Sequence, residues 1–406
     1  MFSGCRGQEI AGAESGLRFL INATECRRIA GAILADVSQP FETGTRDIGH
    51  QPALRDGEVV RVVGHPEVLE VVTDPHTFSS AVSRFLQVPN GLDGHEHYVF
   101  RALIDRYFTH DRLTALEEDL REVATANIAK LPRGKPVDFV SELGTRFAVQ
   151  GMLVWLGWPA EFEDELIGWV DENAEATRSG ELERTRAAAE HFDDIIGRVL
   201  APRLHRREDP PRDVTDELLR ERVDGHLLTR AQLVSILRNW TGGDLGSMAL
   251  SIGVIGHMLA AHPYIEQDFR NRRWDRQAMG RAIDELLRID DPFMSNRRLA
   301  TVSTEVAGCP VHKGDRLLVD WMNANRDSRV FGDPDRYDPE GNASKNIVYG
   351  AGPHVCPGRG LSTMELRLVF EQLLDATSDL RLDPAVPGVR AEQPLGGWAS
   401  APVVLA

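Results

Sequence analysis

The sequence predicts a mainly α-helical protein with a minor β part, and three observations support this fold class. Apolar residues recur at helical spacing along most of the chain. The valine-rich residues 58–63 indicate a strand that leads into a helix ending near residue 74. Short strand-like pieces appear at 299–320 and in the tail 380–406. The segments with helical spacing are 95–130, 138–157, 161–178, 181–207, 231–261, 275–289 and 357–376.

The chain divides into a lead segment and one domain. Residues 1–45 have no strong pattern, whereas 46–406 reads as a single domain. The connector 205–216 is charged and contains Pro210 and Pro211, which block helix continuation, but it does not separate two domains. The glycine-rich stretch 241–247 is expected to interrupt the long apolar helix 231–261.

Charge and cysteine usage exclude several classes of protein. The formal charge of −16, from 46 basic and 62 acidic residues, argues against a general nucleic-acid or membrane-surface binder. The four cysteines form no Cys-x-x-Cys pair, so neither a zinc knuckle nor a disulfide framework is expected. No signal peptide or apolar run of about 18 residues is recognisable, which predicts a cytoplasmic protein without a membrane anchor.

The most informative segment is residues 349–360, in which glycines surround Cys356 just before a predicted helix. Glycine lets the backbone approach a flat ligand closely. A cysteine near a helix N-terminus lies in a positive field that favours thiolate. An isolated cysteine is more often a buried structural residue, so the interpretation depends on the whole spacing.

That spacing resembles the haem-binding loop of the cytochrome P450 superfamily of the soluble bacterial type. The loop pattern Phe-Gly-x-Gly-x-His-x-Cys-x-Gly is matched except that Tyr349 replaces Phe. The resemblance implies a single triangular helical domain enclosing haem b (iron protoporphyrin IX). It implies that Cys356 is the axial iron ligand, that His354 contacts a propionate, and that Gly350 and Gly358 belong to the haem-binding loop.

Two further motifs resemble the same family. Glu285 and Arg288 are spaced i, i+3, so they share a helix face, and alone they would be an ordinary ion pair. The resemblance implies that they form a structural triad with Arg336. His97 and Arg101 are spaced i, i+4 and resemble the pair that binds haem propionates, with His95 as a rival to His97. Arg298 resembles another propionate ligand, with Arg297 as a close alternative.

The long helix departs from the family pattern. Counting back from His262-Pro263 puts Ser247 at the usual threonine position, so Gly246 replaces the acid and Asp244 lies two residues early. Positions 244 and 247 share a helix face, so both are candidate catalytic residues. Either they support ordinary monooxygenation through a rearranged proton relay, or the altered site performs oxidative coupling or group transfer. Alternatively, Ser247 only bonds back to a helix carbonyl.

The resemblance also implies a substrate and electron donors. We expect hydroxylation or another oxidation of a small, largely hydrophobic molecule, with a non-catalytic haem sensor as the rival class. Electrons would come from NAD(P)H through an external ferredoxin reductase and ferredoxin. The candidate docking patch for the ferredoxin consists of Arg106, Arg112 and Arg359. The expected substrate pocket contains Phe85, Leu86, Val88, Asn239, Gly243, Phe293, Met294 and Trp398.

Overall fold

The computed structural model describes Phe41, Thr43 and residues 51–406, so the prediction for residues 1–45 lies almost wholly outside the described residues. The predicted fold class is confirmed, because helices form most of the described chain and the strands are short. The helices are α1 His65–Thr73, α2 Gly94–Asp105, α3 His110–Lys130, α4 Arg146–Leu156, α5 Glu163–Ser179, α6 Leu182–Leu204, α7 Val214–Leu218, α8 Arg230–Ala261, α9 Pro263–Arg272, α10 Arg276–Ile289, α11 Trp321–Ala324, α12 Ser328–Phe331, α13 Pro339–Asn342 and α14 Arg359–Ala376. A π-helical segment, Phe139–Thr145, precedes α4.

Fourteen strands in the described part of the chain form small sheets. They are β1 Ala53–Asp56, β2 Val59–Val62, β3 Phe78–Ser79, β4 Pro136–Asp138, β5 Arg222–Val223, β6 His226–Leu227, β7 Ser295–Ala300, β8 Thr304–Val306, β9 Cys309–Val311, β10 Arg316–Asp320, β11 Leu380–Arg381, β12 Val389–Arg390, β13 Trp398–Ser400 and β14 Pro402–Leu405. The largest sheet has the order β1-β2-β10-β7-β3. Only the β2–β10 pair in it is parallel.

The long helix α8 runs through the centre of the fold. It begins at a capping box in which the Thr229 side chain accepts from the Gln232 backbone and the Gln232 side chain accepts from the Thr229 backbone. Gly256 lets the π-helical segment approach closely, because a Cβ there would lie 2.1 Å from Cδ2 of Phe139. The second half of α8 is therefore locked into the core.

The expected interruption of α8 was wrong, because the helix continues through residues 241–247. Local glycine content predicts a break, but tertiary packing overrides so weak a preference. On both sides of the glycines, Trp240, Thr241, Leu245 and Met248 are buried against other elements. Residues 239–251 therefore lie beside the cysteine loop on one continuous, rigid helix.

Among the described residues, α8 is the one helix long and apolar enough to cross a membrane. Most of its apolar stretch is buried inside the protein. A central core helix has the same length and composition, so this feature is accounted for by packing.

Candidate active site

One cavity of about 290 Å³ brings the cysteine loop and the long helix together. Its walls come from the loop before α2, the middle of α8, the turn between α10 and β7, and the cysteine loop with the start of α14. Cys356 lies in one wall, and Asp244 and Ser247 of α8 also line the cavity. Residues more than one hundred positions apart in the chain therefore face one enclosed space.

The cysteine loop has a fixed backbone. The N–H of Cys356 donates to the carbonyl of Tyr349 at 2.9 Å. Gly350 and Gly352 have φ of +77° and +70°, and a Cβ on Gly352 would lie 2.6 Å from the carbonyl oxygen of Val72. No residue with a side chain fits at position 352 without moving α1. The loop thus presents Cys356 to the cavity on a backbone that glycine alone permits.

The thiol of Cys356 has an environment with two opposing effects. Burial raises its pKa, whereas the backbone N–H groups of Gly358 and Arg359 lower it by hydrogen bonding to the sulfur. Gly358 immediately precedes α14 and Arg359 is its first residue, so neither backbone N–H has an acceptor within the helix. A positively charged ligand to the sulfur would favour the thiolate strongly in such a buried position.

Arg101 holds the cysteine loop through hydrogen bonds to its backbone. Its Nη1 donates to the carbonyls of Val355, at 2.6 Å, and Pro353, at 3.0 Å. Its Nε donates to Asp105 at 2.6 Å. The side chain is not among the residues that line the cavity. The structure therefore places Arg101 as a clamp on the cysteine loop, and its predicted contact with a haem propionate stays a prediction.

Three buried donors lie at one end of the cavity. The rings of His97 and His354 are 4.1 Å apart, and Arg298 lines the same region. The Nε2 of His97 has no hydrogen-bond partner among the described residues. The Nη1 of Arg298 donates only to the adjacent carbonyl of Arg297, at 2.8 Å. His95 and Arg297, the alternatives to His97 and Arg298, are both exposed.

The electrostatics of these donors fit an anionic ligand. Burial, together with His97 and Arg298, lowers the pKa of His354 to about 4. Burial also lowers the pKa of Arg298. His354 Nε2 lies 3.0 Å from Ser80 Oγ and 3.5 Å from a carboxylate oxygen of Asp93, whereas Nε2 of His97 has no partner among the described residues. A buried donor without an acceptor is unfavourable, and an anion bound there would supply one. Two propionates beside a cavity with a cysteine in its wall would satisfy these donors, so the residues present fit haem.

The α8 side of the cavity carries one acid and one alcohol. Burial raises the pKa of the Asp244 carboxyl to about 7. Ser247 Oγ donates to the carbonyl of Gly243 at 2.8 Å, and the carbonyl of Asp244 is 3.2 Å away. The hydroxyl proton is thus directed at the helix backbone, as the simpler alternative predicted, while the oxygen is still free to accept a hydrogen bond.

Glu285 and Arg288 form a fully buried ion pair. Arg288 donates from Nε to Glu285 at 2.8 Å and from Nη2 at 3.0 Å. The remaining donors of Arg288 reach the carbonyls of Asn325 and Pro334. Glu285 also accepts from the side chain of Asn342 at 2.8 Å. The pair therefore ties α10 to the chain that leads into the cysteine loop.

The side chain of Arg336 departs from the expected triad. It is 71% exposed, and its nearest carboxylate is Asp338 at 3.7 Å. Only the backbone carbonyl of Arg336 approaches Arg288, at 3.4 Å. The third partner of the Glu285–Arg288 pair is Asn342 together with backbone groups, because the chain near residue 336 turns its side chain to solvent.

The predicted substrate-pocket residues fall into two groups. Asn239, Gly243 and Phe293 line the cavity. Phe85 and Leu86 are exposed, and Val88 and Met294 are buried outside the lining. Trp398 is also buried, where it stacks on His257 at 3.8 Å between ring centroids. Hydrophobicity predicted burial or contact for these residues, but which way each side chain points depends on the tertiary fold.

The loop before α2 is attached to α8 through Val88. The Val88 N–H donates to Ser235 Oγ at 2.8 Å, and the Val88 carbonyl accepts from Asn239 Nδ2 at 2.8 Å. Asn239 therefore both lines the cavity and fixes the loop that closes one of its walls. Ser235 Oγ also donates to the carbonyl of Leu86 at 3.0 Å, so the backbone of the loop is held at two residues, although the side chain of Leu86 is exposed and that of Val88 is buried.

Sequence reasoning missed two features of the cavity. Phe108, Trp155 and Trp240 form an aromatic wall, with 5.2 Å between the ring centroids of the two tryptophans. Asp291 also lines the cavity. The acid lies between the Glu285–Arg288 motif and Pro292, and the only signal in the sequence was a second consecutive aspartate in an otherwise apolar turn.

Comparisons with known proteins agree with this geometry. A family model described as Cytochrome P450 matches residues 179–378. The steroid C26-monooxygenase of Mycobacterium tuberculosis is 27% identical over 374 residues, which cover 87% of this chain and 97% of that protein. The chain belongs to the cytochrome P450 superfamily. Like its named relatives, this P450 is a monooxygenase, which confirms the predicted class of enzyme.

Other relatives of this P450 extend the likeness. The erythromycin C-12 hydroxylase of Saccharopolyspora erythraea is 27% identical over 353 residues, covering 82% of this chain and 86% of the relative. A solved mutant of P450 EryK in complex with erythromycin B has 26% identity and a TM-score of 0.77, over 87% of this chain and 93% of that one. The ligand-free structure of P450 TbtJ1, at 24% identity and a TM-score of 0.80, covers 93% and 98% and supports the fold.

Proposed function

We propose that this P450 binds haem b through Cys356 and uses it to oxidise a small, largely apolar organic molecule. One observation carries the proposal: Cys356, Asp244, Ser247, Arg298 and His354 line one cavity. Bound haem would supply an iron whose thiolate ligand donates electron density and favours O–O cleavage. The residues of the chain would hold the group, control protons and position the substrate.

His97, Arg298 and His354 are proposed to bind the propionates. All three are nearly buried nitrogen donors beside one another, and two carboxylates would offset the burial and the repulsion that together lower the pKa of His354. Arg101 contributes indirectly by clamping the carbonyls of Pro353 and Val355. We propose that it positions Cys356, and the prediction that it also binds a propionate stays a prediction.

Asp244 is proposed to carry protons into the cavity. Because burial raises its pKa to about 7, the carboxyl exchanges between protonated and ionised forms near neutral pH. Ser247 can accept a hydrogen bond at Oγ while its own proton is held by the carbonyl of Gly243. An acid and an alcohol in the cavity favour ordinary monooxygenation over the alternative of oxidative coupling or group transfer, because they retain the means to deliver protons.

An external ferredoxin, reduced by NAD(P)H through a ferredoxin reductase, is proposed as the electron donor. The expected basic docking patch has less uncompensated positive charge than its sequence suggests. Arg106 pairs with Glu221 at 2.7 Å, Arg112 with Glu217 at 2.5 Å, and Arg359 with Asp284 at 2.9 Å. Much of the positive charge of these three arginines is therefore compensated within the chain, and docking would depend on shape more than on net charge.

The first test is the absorption difference spectrum of the reduced protein with and without carbon monoxide. We expect one haem per chain and a strongly red-shifted Soret band that disappears in Cys356→His. Haem bound without this band would contradict thiolate ligation by Cys356. Substrate oxidation with dioxygen and a ferredoxin system then separates an enzyme from a haem sensor, and product analysis separates hydroxylation from coupling.

A further inference from the structure

Asp291 is a buried acid in the wall of the cavity. Its exposed fraction is 1%. Oδ1 accepts the N–H of Phe293 at 2.8 Å, which closes the turn before β7. Oδ2 has no hydrogen-bond partner among the described residues. Closing the turn accounts for one oxygen, and the second oxygen of this cavity-lining residue has no partner among the described residues.

The neighbouring carboxylates Asp290 and Asp320 each have an arginine partner, whereas no described arginine pairs with Asp291. Asp290 is held by two hydrogen bonds from Arg390, at 2.6 Å and 2.7 Å. Asp320 is paired with Arg61 at 3.1 Å. No cation of the described chain pairs with Asp291, although burial in this position makes an unpaired carboxylate costly. Burial and the charges of Asp290 and Asp320 accordingly raise the pKa of Asp291.

The charges that line the cavity separate into two groups. The basic side chains in the lining are the cationic Arg298 and His354, whose pKa burial lowers to about 4, and both are proposed propionate ligands. The acidic side chains are Asp244 and Asp291. Once haem has neutralised the cationic group, the rest of the cavity contains carboxyl groups and no cation of its own. Apolar residues, among them Met248, Pro292 and Phe293, form much of the remaining wall.

We propose that the substrate is a largely apolar amine whose positively charged nitrogen binds the carboxylate of Asp291. This inference rests on the proposed function of the cavity and names the class of molecule it receives. The apolar wall binds the carbon skeleton, and the unpartnered Oδ2 binds the cation. The two carboxyl groups disfavour an anionic substrate, because an anion would not stabilise their ionised forms, and the net charge of −16 attracts a cation from solution.

Binding of a cation to Asp291 has a distinct dependence on pH. Burial raises the pKa of Asp291 and so favours its protonated form in the empty cavity. A cation favours the ionised form, so its binding expels a proton and strengthens as pH rises. A quaternary ammonium probe keeps its charge at every pH, so any such dependence reports the protein carboxyl. It also cannot coordinate iron, because its nitrogen has no lone pair.

The experiment compares two probes of nearly equal shape on the haem-loaded enzyme. The cationic probe is N,N,N-trimethyl-1-adamantylammonium, and its neutral isostere is 1-tert-butyladamantane. We expect the ammonium to bind at least about tenfold more tightly. Calorimetry in two buffers of different ionisation enthalpy should show proton release for the ammonium alone. Equal binding of the two probes, or no binding of either, would overturn the proposal.

Variants assign the preference to one carboxyl. Asp291→Asn should reduce the ratio of affinities to about one and abolish proton release. Glu392→Gln removes one exposed carboxylate that does not line the cavity and should leave both unchanged. If the preference for the ammonium probe remains in Asp291→Asn but disappears in Asp244→Asn, the cation binds Asp244 instead. This result would contradict the proposal. If Asp291→Asn does not fold, the probe pair and proton release on the native enzyme still decide.

The outcomes separate this inference from the proposed function. Haem content and the carbon monoxide spectrum are measured on the same preparation before the titration. A normal thiolate spectrum without ammonium preference overturns the amine proposal alone. An absent thiolate spectrum overturns the role of Cys356, whatever the probes do.

Discussion

Arg101 Nη1 donates to the carbonyl oxygen of Val355 at 2.6 Å, one residue before Cys356. The contact joins α2 to the cysteine loop across more than two hundred and fifty residues of sequence. Because the same nitrogen also reaches the carbonyl of Pro353, the guanidinium fixes two backbone carbonyls of the loop. The orientation of the cysteine thus depends on a residue that does not face the cavity.

Arg101→Ala should loosen the cysteine loop. Hydrogen bonds to charged groups contribute about 1.5–3 kcal/mol each, so we expect lower haem occupancy and a smaller fraction of the thiolate carbon monoxide band. Asp105→Asn is the matched control, since it removes the exposed partner of Arg101 and leaves both carbonyl contacts. Full haem occupancy with an unchanged band in Arg101→Ala would show that the loop is positioned without the clamp.

Asp244→Asn should lower kcat by at least about a hundredfold, because proton transfer by a positioned group contributes roughly that much. Ser247→Ala should have a smaller effect, since its hydroxyl proton is already given to the carbonyl of Gly243. The protonated carboxyl is the donor, so the native rate should fall as pH rises above about 7. Rates measured from pH 6 to 9 check this, and the Asn variant should lose that limb. A larger effect of Ser247→Ala would reverse the assignment.

Glu285→Gln should destabilise the fold by about 3–5 kcal/mol, because it leaves the buried charge of Arg288 without its partner. The measurement is chemical unfolding of the haem-loaded protein followed by circular dichroism. Arg336→Ala is the control and should change the free energy of unfolding by less than about 0.5 kcal/mol, because its side chain faces solvent. A large loss in Arg336→Ala would restore the three-residue triad.

His191 should make the contact between α5 and α6 dependent on pH. Its Nδ1 lies 2.7 Å from Glu172, and its Nε2 lies 3.3 Å from Glu165, so the two glutamates raise the pKa of the imidazole. The stabilisation is fully present below the unfolded pKa of about 6.5 and disappears as pH rises through the raised folded value. Because the side chain is 36% exposed, the effect should be small.

Hydrogen exchange of α5 and α6 at pH 5.5 and pH 8.5 measures this dependence. The native protein should exchange faster in these helices at the higher pH, after correction for the intrinsic rate. His191→Gln should remove the difference, and an identical pH dependence in the variant would assign it to other groups.

The sequence predicted the fold and the cysteine loop because both depend on local pattern. Helical spacing and the glycines around Cys356 are visible without tertiary information. Arg298, which was chosen over Arg297 as a propionate ligand, is buried whereas Arg297 is exposed, and its role as a ligand stays a prediction. The direction of Arg101, the exposure of Arg336 and the continuity of α8 were not predictable in this way. Each depends on what packs beside the residue, and sequence spacing contains no information about distant neighbours.

The Glu285–Arg288 pair and the Arg101 contact lie on the cysteine side of the cavity, whereas Asn239, Phe293 and Asp291 come from other walls. The two groups share no hydrogen bond in the described part of the chain. Random mutagenesis of the second group should therefore yield many folded, haem-loaded variants with altered preference, whereas libraries at the first group should be depleted of functional members. Substitutions that change the selectivity of this protein should therefore be separable from those that disturb its cysteine loop.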